Sequence, residues 1–199
     1  MLTLILFITL VMIVGDGLLY SNPFDVPRVY WVLLDPLVHA VLALLVISPL
    51  FSHQEIASQS IRWLIIAGAA AILIDVDHFI AANSLSVYDA LHLSARPAAH
   101  SLLFVLICAL GMQLLTQNTA GSWLLLLALL SHILRDASLG GVPFLWPLPF
   151  NLHLSIPAYY IMQISLCFLA ALIAGWPTLP LWSNGLWQAS LKYLGYPIS

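Results

Sequence analysis

Two residue pairs spaced four apart carry the chemistry this sequence offers. Asp35 and His39 read D-x-x-x-H, His132 and Asp136 read H-x-x-x-D, and that spacing puts each carboxylate on the same helix face as its imidazole. Between them stand Asp75, Asp77 and His78 in "LIDVDHFI", and Arg96 and His100 in "RPAAHS". Carboxylates and imidazoles together are the donor set of a divalent transition metal, zinc first, with manganese or iron as alternatives; all-oxygen sites suit magnesium or calcium. Seven or eight candidate ligands exceed the four of one tetrahedral zinc, which leaves room for one or two ions or for an outer layer of orienting groups.

The elements that must position these residues are membrane helices. Of 199 residues, 62% are hydrophobic and 7% charged, a balance that would leave a water-soluble domain with most of its surface apolar. Runs over 2–20, 29–51, 62–81, 97–116, 122–142 and 155–176 each approach the ~20 apolar residues that cross a hydrocarbon core. Backbone groups in lipid must bond internally, so an all-α, polytopic membrane helix bundle of about six transmembrane helices follows, and the alternating pattern of a β-barrel is lacking. Residues 1–176 form this bundle, and 177–199, with Trp182, Trp187, Tyr193 and Tyr196, read as an interfacial aromatic C-terminal segment.

Helices joined by short loops alternate in direction. Asp16, Asp35, His39, Asp75, Asp77, His78, His100, His132 and Asp136 then all fall toward one membrane side. His39 and His132 lie about ten residues from that side's ends of their helices, at similar depth. An ionisable group in a bilayer costs roughly 2.5 to 3.5 kcal/mol, so such residues face the bundle interior and have partners. Carboxylates and imidazoles from four helices at one level point to a shared cation.

Plainer readings exist for individual residues. Asp16, in "GDG", is as well explained by a packing hydrogen bond, and "DVDH" alone by a polar helix end meeting water. His53, beside Glu55 in the opposite loop, reads as solvated. Asp89 and His92 lie in the loop before "RPAAHS", where they either cover the site or face water. Arg96 is an interfacial arginine or a clamp for an anionic oxygen, phosphate above all. Arg135 points off the His132 and Asp136 face, toward an ion pair or the interface. Cys108 and Cys167 sit inside spans as small apolar side chains. Net charge −3 with no basic cluster gives nucleic acid no foothold. The first run has neither a basic leading region nor a small-residue cleavage site, so it reads as a retained helix.

Taken as a set, "VHA" at 38–40, "DVDHF" at 75–79, "RPAAHSLLF" at 96–104 and "LSHILRDASLGGVPFLWPLPF" at 130–150 resemble the predicted membrane-bound, metal-dependent hydrolases of the YdjM type. By position, the resemblance implies functional roles for His39, Asp75, Asp77, His78, Arg96, His100, His132 and Asp136. It covers roughly 36–150, and the late motif is its most specific part. The third motif departs from the pattern: Ala95 stands where the family has His, and Pro97 where it has Gly, which leaves that position without a titratable group unless His92 supplies one.

The residues and the resemblance together give an expectation: metal-activated water attacking a membrane-associated ester, most of all a lipid phosphoester. His39, His78, His100, His132 and Asp136 are first-choice ligands. Asp75 ligates or bridges, Asp35 adds to the set, Asp77 orients a ligand or acts as base, His100 belongs to the catalytic layer, and Arg96 holds the anionic group. No G-x-S-x-G turn or H-E-x-x-H helix occurs, and Ser101 beside His100 is the one weak nucleophile candidate. The rivals are a divalent-cation or proton carrier and a non-catalytic scaffold that keeps a structural metal. The expected partners are membrane lipids and a phosphate-bearing substrate, with a protein partner left open. The expected location is an inner or plasma membrane. Arg28, Arg96 and Arg135 against Arg62 and Lys192 lean the site cytoplasmic.

Overall fold

Runs this apolar leave the backbone little alternative to helix in lipid, and helix is what forms. The computed structural model describes residues 1–18, 28–52, 54–57 and 60–175, so His53 and the segment 177–199 lie outside the described residues. Helix α1 spans Leu2–Val11 and runs on as a π turn over Met12–Asp16. Helix α2, Arg28–Ile47, ends in a 3-10 turn over Ser48–Ser52. The chain continues through α3 (Ser60–Leu73), α4 (Val76–Ala81), α5 (Val87–Leu91), α6 (Leu102–Thr116), α7 (Thr119–Leu139) and α8 (Ile156–Ala174). Among the described residues no strand forms, and an isolated antiparallel bridge joins Val142 to Leu152.

Four stretches are long and apolar enough to cross a membrane: Leu34–Ser52, Ser60–Ala81, Thr119–Leu139 and Ile156–Ala174. Of the span expected at 2–20 the described part, residues 2–18, is helical, while the one expected at 97–116 is shorter in the structure, over Leu102–Thr116. The second is shortened by its own sequence. Pro97 is extended, Ala98–His100 is a 3-10 turn, and Ser101 caps α6 by accepting from Phe104 N at 3.3 Å, so the helix begins five residues late. Its 15 residues rise about 22 Å, against roughly 30 Å of hydrocarbon.

Helix α7 is the spine, packed against α2, α3, α6 and α8. Within its span 67% of residues are buried, against 17–39% for the other three. That leaves Leu64 and Ile65 on α3, Leu106 and Leu110 on α6, and Ile161 and Leu172 on α8 exposed, an outward apolar face that lipid accommodates and water does not. Gly121 lets α3 approach α7 at the end far from the site, because a Cβ there would meet the Trp63 ring. Nothing surrounds Gly111, in the middle of α6.

At the other end of α7 three local features aim the polar residues. The helix expected over 62–81 tightens at Ile74–Asp75, where Asp75 N, Asp77 N and His78 N bond to carbonyls three residues back, at 3.2–3.3 Å. The turn before α6 delivers His100. The loop after α7 is held by Val142 and Leu152, by Leu102 N to Phe144 O at 2.9 Å, and by Leu154 N to Ala137 O at 2.8 Å.

Gly121→Ala should lower the unfolding temperature in detergent, since overpacking against a rigid ring costs about 1–3 kcal/mol. Gly111→Ala should leave it unchanged or raise it. Matched thermal scans of the two variants check this contrast.

Candidate metal centre

The tightened turn between α3 and α4 puts Asp75 and Asp77, two apart in sequence, against the same imidazole. His100 Nε2 lies 3.3 Å from Asp75 Oδ1, and its Nδ1 lies 3.3 Å from Asp77 Oδ2. From α7, Asp136 Oδ2 lies 3.1 Å from His100 Nε2 and 3.3 Å from His132 Nε2. His132 Nε2 is also 3.4 Å from Asp75 Oδ1. One atom each of Asp75, His100, His132 and Asp136 thus fall within 4.8 Å of one another. His100, His132 and Asp136 are fully buried.

With neutral imidazoles these contacts cannot all be hydrogen bonds. Two imidazole Nε2 atoms face two carboxylate oxygens in four contacts of 3.1–3.4 Å, and each nitrogen carries one hydrogen at most. For His132 the neutral ring has none to give. Its Nδ1 meets the Ala71 carbonyl oxygen at 2.8 Å, and a carbonyl only accepts, so the hydrogen sits on Nδ1 and the Nε2 lone pair points at the carboxylates. Lone pairs converging in a buried place call for a cation. Zinc bonds of about 2.0–2.1 Å give a tetrahedron with edges of about 3.3–3.4 Å, and the four contacts, at 3.1–3.4 Å, lie close to that length. Asp75 Oδ2, Asp136 Oδ1 and His132 Nε2 are buried with no hydrogen-bond partner. Charge agrees as well. Asp75, Asp77 and Asp136 against Arg96 leave two negative charges, the complement of one divalent ion. The residues fit a metal.

The surrounding groups divide by distance. Asp77 and His78 form a second cluster with His100, with His78 Nδ1 3.0 Å from Asp77 Oδ1 and its ring edge-on to His100 at 4.9 Å. Since one imidazole is shared, Asp77 reads as the carboxylate that orients His100. His39 stacks on His132 at 3.7 Å between ring centres, and its Nε2 is 3.2 Å from Asp136 Oδ1. It stands behind Asp136, outside the four-atom cluster. Arg96 donates from Nη1 to Asp136 Oδ2 at 2.7 Å, which makes it a neighbour of the centre first, whatever else it holds.

Asp35, counted among the ligands from its spacing, turns elsewhere. Its Oδ2 is 3.7 Å from His39, but its Oδ1 accepts from Arg135 Nη1 at 2.6 Å. Arg135 also donates from Nε to Asp16 Oδ1 at 2.8 Å, fully buried where an interfacial position was one expectation. This second ion cluster ties α1 and α2 to α7. The spacing of Asp35 gave no sign of it. The signal available was an arginine inside a membrane-spanning helix and off the face of Asp136, which needs a carboxylate from another helix. Ser101 is occupied as the cap of α6. Asp89 accepts from Ser84 Oγ at 2.6 Å, and His92 is exposed, stacked on Tyr88, with Nδ1 on the Tyr88 carbonyl at 2.7 Å. Neither joins the centre, so His92 does not stand in for the histidine missing at Ala95.

A profile of the YdjM inner membrane protein family matches residues 34–196, a stretch that contains the whole cluster. Transmembrane protein 267 of Mus musculus is 34% identical over 118 residues, covering 55% of this chain and 54% of the relative. Its counterparts in Xenopus laevis (32% over 117 residues, 54% and 53% covered) and Danio rerio (34% over 94 residues, 44% and 41%) are similar. The chain spans about half the length of these curated relatives. No solved structure matches.

Arg135→Met strands two carboxylates inside the bundle and should cost about 3–5 kcal/mol, as removing one partner of a buried ion pair does. Asp16→Asn with Asp35→Asn and Arg135→Met removes the charges together and should recover most of the loss. Thermal unfolding in detergent of single and triple variants reads this difference.

Proposed function

The chain belongs to the YdjM inner membrane protein family, and on that premise we propose that it is an integral inner-membrane, metal-dependent hydrolase of a membrane-associated ester, a lipid phosphoester above all. The observation that carries this reading is the set of four nitrogen–oxygen contacts of 3.1–3.4 Å that neutral imidazoles cannot satisfy by hydrogen bonding. Asp75, His100, His132 and Asp136 would hold the ion, zinc by donor type. Bound there, a divalent ion supplies Lewis acidity toward a phosphoryl or acyl oxygen and brings the pKa of water near 7.

The chain's own residues supply the rest. The Ala71 carbonyl and Asp77 fix the rings of His132 and His100, so both present Nε2 to the same point. Asp77 and His78, 3.0 Å apart and partly exposed, form an acid–base pair at the mouth of the centre. Arg96 spends one N–H on Asp136 and, partly exposed, keeps further donors for an anionic oxygen.

A carrier would need the polar path to continue along the bundle. Gln163, the polar residue α8 offers, is fully buried and closed on Ser131. Its Nε2 donates to the Ser131 carbonyl at 2.7 Å, and its Oε1 accepts from Ser131 Oγ at 2.9 Å. That pairing supports a site open at one end, which favours hydrolysis over transport.

The test is hydrolysis of a panel of phosphoester and carboxyester lipids by protein in liposomes. Chelator should abolish turnover and zinc should restore it, and Asp77→Asn should reduce kcat about 10–100-fold, the usual effect of losing a group that orients a metal-binding histidine. Metal-replete protein that hydrolyses nothing across the panel, while co-purifying with one stable partner, would replace this reading with a scaffold.

A further inference from the structure

The loop after α7, "GGVPFLWPLPFNLHLS", has no role in the centre itself, yet it is built onto it. Its inward residues Val142, Phe144, Leu152 and Leu154 pack in one apolar cluster with Ile74, Ala99 and Ala137. Those three are the chain neighbours of Asp75, His100 and Asp136. The bridge between Val142 and Leu152, with the bonds to Leu102 and Ala137, fixes the loop over the ligand-bearing turns.

Its outward residues are the opposite of what a loop in water carries. Leu145, Trp146, Leu148 and Phe150 are exposed, and from 137 to 158 no Asp, Glu, Lys or Arg occurs. The chain passes from this loop directly into α8, whose Ile156 and Ile161 are exposed on a membrane-spanning helix, so the apolar surface continues into the lipid-facing one. At the same end, the turn between α4 and α6 exposes Leu85, Tyr88 and Leu91. Large apolar and aromatic side chains at the end of a span belong to the boundary between headgroups and acyl chains.

We infer that the 142–152 loop and the α5 turn form a collar seated in that boundary, so that the metal centre opens sideways onto the leaflet at headgroup depth. The occupant of this surface is the bilayer. Resting on the hydrolase reading, the collar narrows the substrate to lipids that reach the centre from within the leaflet, their ester beside Arg96 and their chains among Leu145, Trp146 and Leu148. A water-soluble ester lacks that route.

A nitroxide at Leu148→Cys, or separately at Leu85→Cys, in a Cys108→Ala background reads the depth without reference to activity; Cys167 is fully buried and unreactive. In liposomes both labels should meet oxygen in preference to an aqueous nickel chelate, with depths of about 5–10 Å below the headgroup surface. Preference for the chelate would mean a loop in water, and access to neither reagent would mean a protein covering it; each overturns the collar. Trp146→Asp with Leu148→Asp should keep the metal content of the wild type while turnover of bilayer-embedded lipid falls at least tenfold. Wild-type turnover of bilayer-embedded lipid by this variant would contradict lateral entry. A protein without metal or turnover whose labels still sit at the boundary would refute the hydrolase and leave the collar standing.

Discussion

A carboxylate taken out of water must be met by a cation or by donors, and in a bundle surrounded by lipid there is no solvent to make up a shortfall. Helix α7 carries both answers side by side. Arg135, pointing one way, pairs with both Asp16 and Asp35 from α1 and α2. Asp136, the next residue and about 100° around the helix, points into the imidazoles of His100 and His132. The first cluster is held by direct ion pairs between protein groups. In the second, lone pairs of Asp75, His100, His132 and Asp136 face one another where a divalent ion would fit.

The local structure is organised around this requirement. The i→i+3 turn at Ile74–Asp75 breaks a helix that a straight run would have continued, and so brings Asp75 and Asp77 to one ring. Pro97 and the Ser101 cap delay α6, which places His100 on a turn inside the bundle instead of on a helix flank. The loop after α7 packs its apolar side under all three ligand-bearing turns, holding them in register without adding a polar group. Packing at the far end, where Gly121 admits Trp63, sets how closely α3 and α7 run and therefore how near Asp75 comes to His132.

The membrane helices and the level of the site were legible because lipid imposes length and hydropathy on sequence, and because an ionisable residue there is rare enough to stand out. Asp75, Asp77, His78, His100, His132 and Asp136 converge for that reason. Asp35 shows the limit of spacing. Four residues put it on the face of His39, but its partner was decided by Arg135 from another helix, a contact spanning 100 residues of chain. Span length was over-read at 97–116 because hydropathy does not register that a proline and a cap begin the helix late. The bond from Leu102 to Phe144 and the bridge from Val142 to Leu152 are tertiary, so the loop's place over the site was not visible in its glycines and prolines.

The central claim is that lone pairs from Asp75, His100, His132 and Asp136 are arranged around a cation. Elemental analysis of the protein, purified without chelators, measures that directly beside His132→Ala, whose retained fold is verified by circular dichroism. The account predicts bound transition metal, zinc first, in the wild type and a loss of it in the variant. A wild type without bound metal, or a folded variant that keeps its full content, would contradict it.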